Sequence, residues 1–482
     1  MMLSEKLYPQ RVFYYFEQIA AIPHGSRNTK AISDYLVNFA KEHNLTWYQD
    51  ESNNVVIVKE ASEGYEAAEP IIIQGHMDMV CEKEKGVDID FEKDGLKLYV
   101  DGDFLKAEGT TLGGDDGIAV AYALALLESD EIAHPKLEVV ITVDEEIGML
   151  GADAIDLSML TGHTMLNIDS DVEGSFLTGC AGGMAVNVTL PVKRVTQSGR
   201  KVSLTVTGLE GGHSGSEIDK EHGNANILMG RVLRTLFEET PFGIISLAGG
   251  LKDNAIPREC VAELLVPQEN VNLVKEIADN LSAELKKEFV VADPAVVVEF
   301  ENLGEAEADI LDFASVSRVI FYLRSVPNGV QNMSQVMHGL VETSLNLGIM
   351  ELKEDALYTV TSIRSSVGTR KADLLDRVTG VVELLGGEVE VEGDYPAWEY
   401  KQDSSLRPQI AKVYEKLYGK EPMFETIHAG LECGLLSDKI KDLDCVSFGP
   451  DNFDIHTPKE RLSISSTGRV WDFIVEFLRQ AK

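Results

Sequence analysis

Three short apolar runs in this sequence are each followed directly by a histidine or by acidic residues. The runs cover residues 70–73, 137–143 and 165–168, and their length and composition are those of buried β-strands. Longer amphipathic segments, such as residues 118–127 and 407–417, alternate with such runs and are predicted to be helices. Strands separated by helices are typical of α/β proteins, in which helices cover an open sheet. We therefore predict an α/β fold.

The sequence also indicates more than one folding unit, since 482 residues is about three times the length of a typical domain. From residues 180–183 onward the pattern changes to alternating strands, such as residues 201–207 and 357–363. This second region is predicted to end where a strand-like segment at 388–392 runs into a Gly- and Pro-containing turn at 393–396. The last part of the chain returns to the α/β pattern. Two arrangements are open: a third small domain, or an inserted domain whose flanking segments fold together.

Charge limits the partners of this chain. It has 43 Lys and Arg against 80 Asp and Glu, a formal net charge of −37, and such a surface repels phosphate backbones and anionic lipids. We therefore expect no nucleic-acid partner and no membrane partner. No apolar run approaches the ~18 residues that a spanning helix needs, and no signal-peptide core follows the polar start. The five cysteines are scattered and form no Cys-x-x-Cys pair, so a soluble protein of the reducing cytoplasm fits best.

The segments that follow the predicted strands carry the chemistry. His76 lies at the end of the first run, Glu145 and Glu146 follow the second, and Asp169 follows the third. Because ligands of open α/β sheets bind beyond the carboxyl ends of the strands, we expect these side chains to converge in one crevice.

Two further segments extend this set. A glycine-rich turn that contains Asp115 precedes the helix predicted from residue 118, and His456 follows a late strand at residues 445–448. Each residue alone has an ordinary explanation as a solvated loop or helix-capping residue. Together, two histidines and several carboxylates form the donor set that zinc, cobalt or manganese prefers. The sequence therefore predicts a metal centre.

In their order along the chain, five segments resemble the motif blocks of the co-catalytic zinc metallopeptidases, the family of carboxypeptidase G, aminoacylases and cytosolic dipeptidases. The matching segments are His76 with Asp78, the turn at 114–116, the acidic segment at 144–148, Asp169 and His456. Within this family the chain length and the segments at 211–215 and 428–434 are most similar to bacterial aminoacyl-histidine dipeptidases.

The resemblance implies two divalent metal ions, with zinc expected and manganese or cobalt as alternatives. The matched residues would divide the work as follows: Asp115 bridges both ions, His76 and Asp169 complete one site, and Glu146 and His456 complete the other. Asp78 would accept the second ring N–H of His76. Glu145 would be the general base for a hydroxide that bridges the ions.

The resemblance also decides the domain arrangement. It implies a mixed-sheet catalytic domain formed by residues 1–185 plus 396–482, split by an inserted α+β lid and dimerisation domain at 186–395. His456 can join the metal centre only in this arrangement.

Four further residues are implied to bind substrate. His213 and Asn254 would contact the scissile carbonyl or the substrate termini, and Arg364 would contact the substrate carboxylate. Gly430 would let the substrate backbone approach closely. A homodimer is implied as well, in which His213 could serve the site of the partner.

The expected function is therefore a metal-dependent dipeptidase, of the type that cleaves dipeptides ending in histidine. A dipeptidase of broader specificity and an N-acyl amino-acid hydrolase are alternatives within the family. A serine hydrolase is a remote alternative, because the segment at 212–216 approaches a nucleophile elbow but has Ser216 in place of the last glycine. An inactive binding protein of the same fold is the last alternative.

Overall fold

The computed structural model describes residues 3–482. Its α-helices are α1 (Gln10–Ala20), α2 (Lys30–Glu42), α3 (Gly114–Glu128), α4 (Leu150–Ala154), α5 (Ala225–Glu239), α6 (Val271–Glu288), α7 (Phe313–Ser325), α8 (Gly368–Leu384), α9 (Leu406–Tyr418), α10 (Glu432–Lys439) and α11 (Ile464–Gln480). Short 3₁₀ helices cover Leu3–Lys6, Ile218–Lys220 and Gln268–Asn270.

The β-strands between these helices differ widely in length. They are β1 (Thr46–Gln49), β2 (Val55–Lys59), β3 (Ile71–His76), β4 (Leu98–Asp101), β5 (Phe104–Ala107), β6 (Leu137–Thr142), β7 (Thr164–Asn167), β8 (Ser175–Cys180), β9 (Gly182–Pro191), β10 (Arg194–Thr207), β11 (Gly212–His213), β12 (Gly243–Gly249), β13 (Ala255–Ile256), β14 (Cys260–Val266), β15 (Val297–Leu311), β16 (Gly329–Met333), β17 (Val341–Leu352), β18 (Ala356–Ser365), β19 (Glu388–Tyr395), β20 (Met423–Ile427), β21 (Asp444–Ser447), β22 (Asn452–Phe453) and β23 (Arg461–Ser463).

The chain divides into two compact units. Unit 1 comprises the chain as far as Cys180 together with Tyr400–Thr426 and Leu431–Lys482. Unit 2 comprises Ala181–Glu399 and Ile427–Gly430.

Unit 1 is built on a mixed sheet with the strand order β1-β2-β6-β3-β7-β21-β8-β20. The four central strands β6, β3, β7 and β21 run parallel to one another, whereas β2 and β8 are antiparallel to their neighbours in this group. In register, His76 lies opposite Thr142, and Gln74 lies opposite Asn167. The carboxyl ends of these strands therefore meet at one edge. A second, four-stranded sheet has the order β22-β23-β5-β4.

In unit 1, the packing of helix α3 sets the position of the turn that carries Asp115. Residues 117–127 of this helix are buried on every side, which is the property of a helix enclosed by other elements. It packs against α1 and against β3, whose six residues are all buried. A Cβ atom at Gly75 would lie 2.5 Å from both the Asp116 carboxylate and the Ala119 side chain, so glycine permits α3 to lie this close to the strand.

Unit 2 is an α+β structure around a nine-stranded sheet. The strand order is β15-β10-β14-β12-β17-β18-β9-β19, with β16 paired to β17, and the pairs for which a register is given are antiparallel. Apolar side chains from the strands and from helices α5 to α8 form one core. The two-stranded pair β11 and β13 places His213 opposite Ala255.

The predicted α/β class with a mixed sheet is confirmed, as are the strands expected near residues 70–73, 137–143 and 165–168. Among residues 3–482, none of the helices combines the length and the apolar composition needed to cross a bilayer.

Candidate functional site

The candidate site lies where the parallel strands of unit 1 end. His76 is the last residue of β3, Glu145 and Glu146 follow β6, and Asp169 follows β7. Asp115 stands at the start of α3, where its φ of −86° and ψ of 105° depart from helical values. The sheet register and the buried helix therefore direct these side chains to the same edge.

Asp115 lies between two histidines. Its Oδ1 is 3.2 Å from Nε2 of His76, and its Oδ2 is 3.2 Å from Nε2 of His456. Because each carboxylate oxygen faces a different imidazole, this residue is placed to serve two neighbouring positions at once. The two histidines come from opposite ends of the sequence and meet only in the folded unit.

Glu146 and Asp169 extend the group on either side of Asp115. Glu146 Oε2 is 3.0 Å from Nε2 of His456, and Asp169 Oδ1 is 3.8 Å from Nε2 of His76. Candidate ligand atoms lie within 4.8 Å of one another in three groups: His76, Asp116 and Asp169; His76, Glu145 and Glu146; and Asp115, Glu146 and His456. The structure thus brings together all five of the predicted metal ligands.

Asp78 is buried beside His76 and contacts more than one neighbour. The His76 Nδ1 atom lies 2.9 Å from the backbone carbonyl oxygen of Asp78 and 3.5 Å from its carboxylate. The Asp78 carboxylate also accepts hydrogen bonds from the backbone N–H groups of Glu145 at 3.1 Å and Glu146 at 3.4 Å, and from the Ser26 hydroxyl at 2.8 Å. Asp78 therefore orients the turn that carries Glu145 and Glu146, as well as the imidazole of His76.

Glu145 differs from its neighbour Glu146 in its surroundings. Among residues 3–482 no group donates a hydrogen bond to the Glu145 carboxylate. Burial, together with the negative charges of Glu432 and Glu146, raises its pKa to about 8. A carboxylate without a hydrogen-bond donor is open to accept a proton.

The histidines of the site hold protons strongly. Burial opposes the charging of His76, but hydrogen bonds to Asp115 and Asp78 outweigh it and hold its pKa well above the ordinary value. Hydrogen bonds to Asp115 and Glu146 raise the pKa of His456 to about 10. Burial, followed by the charge of Asp116, raises the pKa of Asp169. Several carboxylates thus surround the two imidazoles, and positive charge bound at the site would offset the repulsion between these carboxylates.

Three buried carboxylates near the site were not assigned a role from the sequence. Asp116 accepts a hydrogen bond from the backbone N–H of His76 at 3.2 Å, and burial raises its pKa. Glu432 accepts hydrogen bonds from Gln74 at 2.6 Å and from the Thr142 hydroxyl at 2.7 Å. Glu460 accepts hydrogen bonds from backbone N–H groups at the start of α3.

The donor set fits divalent metal ions. Imidazole nitrogens and carboxylate oxygens are ligands of zinc, manganese and cobalt, and the structure gathers them into groups that could hold a metal ion. His76 is also held through its second ring nitrogen, as metal-binding histidines usually are.

His213 and Asn254 lie together in unit 2. Pairing of β11 with β13 sets His213 beside Ala255, and the Asn254 carbonyl accepts a hydrogen bond from the Ser214 N–H at 2.9 Å. Both residues line a cavity of about 850 Å³. The backbone N–H groups of Gly215 and Ser216 donate to Nδ1 of His213, which places the ring proton on Nε2.

Arg364 also lies in unit 2, on β18. Its guanidinium donates a hydrogen bond to the Tyr395 hydroxyl at 3.2 Å, and no salt bridge joins it to an acidic residue of the described chain. Opposite Arg364 in the sheet, Ser344 contacts the buried Nε2 of His428 at 2.7 Å. A Cβ atom at Gly430 would lie 2.8 Å from the Tyr395 ring, so the space beside this glycine is filled by an aromatic side chain.

A mixed α/β sheet whose strand ends gather histidines and carboxylates into groups that could hold a metal ion fits a metal-dependent hydrolase. Comparison with known proteins identifies the family. The profile of peptidase family M20/M25/M40 matches residues 72–480, and the chain belongs to this family. The serine hydrolase alternative is therefore wrong.

Relatives cover nearly the whole chain. The cytosol non-specific dipeptidase of Escherichia coli is 35% identical over 477 residues, which is 98% of each protein. The crystal structure of an aminoacylhistidine dipeptidase from Vibrio alginolyticus is 37% identical, with a TM-score of 0.93 over 99% of this chain and 97% of that one. An aminopeptidase from Bacillus cereus, at 14% identity with a TM-score of 0.58 over 98% of this chain and 99% of that one, shares the fold.

Proposed function

We propose that this protein hydrolyses dipeptides at a centre of two divalent metal ions. The observation that carries the proposal is the Asp115 carboxylate, whose two oxygens each lie 3.2 Å from a different histidine. The names of two relatives that match the chain almost from end to end, a cytosol non-specific dipeptidase and an aminoacylhistidine dipeptidase, support the choice of substrate.

Five side chains would hold the ions. His76 and Asp169 would bind one ion, Glu146 and His456 the other, and Asp115 both. Zinc is the proposed metal, and manganese or cobalt would suit the same donors. When bound, such ions polarise a carbonyl group and lower the pKa of a water molecule.

Glu145 is the proposed general base. Its carboxylate has no hydrogen-bond donor among the described residues, so it is open to accept a proton. It would take a proton from the attacking water as the C–O bond forms. It would then give that proton to the amine nitrogen as the C–N bond breaks, leaving a carboxylic acid and a free amine. Asp78 would hold the backbone of Glu145 in place for both transfers.

Unit 2 is proposed to contribute the substrate-binding residues. Burial and the nearby charge of Arg364 lower the pKa of His213, so its imidazole is neutral at pH 7. With its proton on Nε2, this ring can donate a hydrogen bond to the oxygen that develops negative charge. Arg364 forms no salt bridge to an acidic residue in the described chain, although the protein carries a net charge of −37. A guanidinium without an acidic partner suits the carboxylate of a dipeptide.

The domain roles follow from this division. We propose that the catalytic domain expected at 1–185 plus 396–482 is formed mainly by unit 1, and that the lid and dimerisation domain expected at 186–395 is formed mainly by unit 2. Asn254 would assist His213, and Gly430 is kept as a proposed substrate contact, although the Tyr395 ring fills the position that its side chain would take. A cytoplasmic homodimer is proposed, and the cytosolic name of one relative supports this location.

Substrate range is the finer question. Specificity for dipeptides ending in histidine and a broader dipeptidase activity are both consistent with the same metal centre. We propose activity on dipeptides that end in histidine, with other dipeptides accepted more slowly. Tripeptides and N-acyl amino acids should be poor substrates.

A substrate panel tests the proposal. Protein reconstituted with zinc, manganese or cobalt is assayed on dipeptides, tripeptides and N-acyl amino acids. Dipeptide hydrolysis should be abolished by a metal chelator and unaffected by a serine-directed phosphonate. Metal binding without hydrolysis of any dipeptide would overturn the proposal, and cleavage of N-acyl amino acids alone would favour the amidohydrolase alternative.

A further inference from the structure

Glu460 is a buried carboxylate that binds the backbone of the turn carrying Asp115. Its Oε2 accepts hydrogen bonds from the N–H groups of Leu112 at 2.6 Å and Gly113 at 3.0 Å. Its Oε1 accepts from the N–H groups of Gly114 at 2.8 Å and Asp115 at 3.3 Å. One side chain thus receives four consecutive peptide N–H groups.

The hydrogen-bond pattern suits an ionised carboxylate. A fifth donor, the Asn452 side-chain amide, lies 3.1 Å from Oε1, so all five contacts to Glu460 are made by N–H groups. Gly113, the residue before α3, has a φ of 70° and provides no side-chain cap, and Asp115 departs from helical backbone angles. The N–H groups of this irregular turn are bound instead by Glu460, from a distant part of the sequence.

The segment that carries Glu460 also carries His456. His456 contacts the Asp115 carboxylate, whereas Glu460 contacts the Asp115 backbone N–H. Residues 456–460 therefore contact both the side chain and the backbone of Asp115. Movement of the Asp115 backbone would alter its contacts with His76 and His456 together, because the two oxygens belong to one rigid carboxylate.

We propose that Glu460 is a positioning residue, which holds the turn at residues 112–115 so that the Asp115 carboxylate lies between His76 and His456. The inference rests on the proposed function, because it assigns Glu460 to the metal centre. Glu460 would contact neither substrate nor metal and would act through the backbone of Asp115. Residues outside the ligand shell that orient a ligand usually change metal affinity or activity by about 10- to 100-fold.

The test compares Glu460→Gln with the unmodified protein after reconstitution with Co²⁺. The amide keeps the size of the side chain, but its NH₂ group cannot accept a hydrogen bond from the peptide N–H groups it would face. We expect the apparent Kd for Co²⁺ to rise about 10- to 100-fold, and the visible absorption spectrum of bound Co²⁺ to change. At saturating metal, kcat should fall while KM stays unchanged.

Glu138 provides a matched control. It is also a buried glutamate of unit 1, and it accepts hydrogen bonds from the backbone N–H groups of Thr161 and Gly162, each at 3.0 Å. It lies near the amino end of β6, away from the strand ends that carry the site. Glu138→Gln should lower thermal stability without altering Co²⁺ affinity or spectrum, which separates a structural effect from positioning.

A second variant covers the case in which Glu460→Gln does not fold. Glu460→Asp keeps the charge but is one methylene shorter, so it cannot reach all four N–H groups, and the same change in Co²⁺ affinity and spectrum is expected. A folded Glu460 variant with unchanged Co²⁺ affinity and spectrum would overturn the positioning role but not the proposed function. An equal spectral change in Glu138→Gln would do the same. If the unmodified protein binds no metal, the proposed function fails as well.

Discussion

The backbone carbonyl oxygen of Asp78 lies 2.9 Å from Nδ1 of His76, closer than the Asp78 carboxylate at 3.5 Å. A carbonyl oxygen can only accept a hydrogen bond, so it keeps a ring proton on Nδ1, and Nε2, which faces Asp115, is the nitrogen that would lose its proton to bind a metal ion. The peptide backbone therefore fixes the tautomer of His76. The carboxylate of Asp78 is left to orient the turn that carries Glu145 and Glu146.

This division of labour makes Asp78→Asn a selective variant. We expect both metals to bind, because the carbonyl contact to His76 remains, while kcat falls about 10- to 100-fold because the acidic turn loses a charged acceptor. Metal content by elemental analysis and steady-state kinetics measure the two effects. Loss of one equivalent of metal would show instead that the carboxylate is needed to hold His76.

Glu145 and Glu146 should respond oppositely to substitution. Glu145→Gln should lower turnover by about 10²- to 10⁴-fold with full metal content, because only proton transfer is removed. Glu146→Gln should lose metal from the position next to His456. Metal loss in Glu145→Gln and retention in Glu146→Gln would mean that the two roles are exchanged.

Metal binding should release protons at pH 7. In the metal-free protein, His76 has a pKa well above its ordinary value and His456 one of about 10, so both are charged, whereas a metal ion requires neutral imidazole. We expect release of roughly two protons per chain from these histidines. Calorimetric titration in buffers of different ionisation enthalpy measures the number, and His456→Gln should lower it. Heats independent of the buffer would contradict the prediction.

His428 should make unit 2 sensitive to acid. Burial, followed by the charge of Arg364, lowers its pKa to about 3, so the folded state keeps it neutral while the unfolded state takes up a proton below about pH 6.5. Its contribution is present above pH 6.5 and is lost as the pH falls toward 3, by at most about 1.4 kcal/mol per pH unit.

The measurement is urea unfolding at pH 7 and pH 5. His428→Gln should lose less stability between these two values than the unmodified protein does. The exposed His163 offers the control variant His163→Gln, which should retain the full loss. Equal losses in all three proteins would contradict the role of His428.

Arg364→Ala should raise KM for dipeptides much more than it lowers kcat. It should have little effect on dipeptide amides, which lack the carboxylate. Arg318, whose guanidinium donates to the backbone carbonyl of Pro191, supplies the control Arg318→Ala in the same unit. A similar KM increase for acids and amides would remove Arg364 from carboxylate recognition.

The main strands and the ligand set could be predicted because their signals are local. Each of His76, Glu145 and Asp169 stands at or just beyond the end of an apolar run, and the helix predicted from residue 118 lies within α3. The order of strands in the sheet has no such signal. In the sheet, β21 lies between β7 and β8, although more than half of the chain separates β21 from these two strands in sequence.

The roles of Glu432 and Glu460 could not be predicted from the sequence. Each is one acidic residue among 80, and their partners, such as Gln74 and the start of α3, lie hundreds of residues away. Only their neighbours carried a signal, since Glu432 lies within the 428–434 segment and Glu460 follows His456 closely. The roles of such buried carboxylates depend on backbone N–H groups, whose positions become known only with the fold.

The parallel pairing of β7 with β21 has a consequence for biosynthesis. Thr164 pairs with Asp444, so a nascent chain completes the sheet of unit 1 only after the strand that begins at Asp444 has left the ribosome. Most of unit 2 is contiguous and can fold earlier. Until the strand at Asp444 is made, the side of β7 that later pairs with β21 has no partner strand. An unpaired strand edge of this kind promotes aggregation. Interrupted translation would therefore yield chains that need chaperones or proteases, and none that could assemble the complete ligand set.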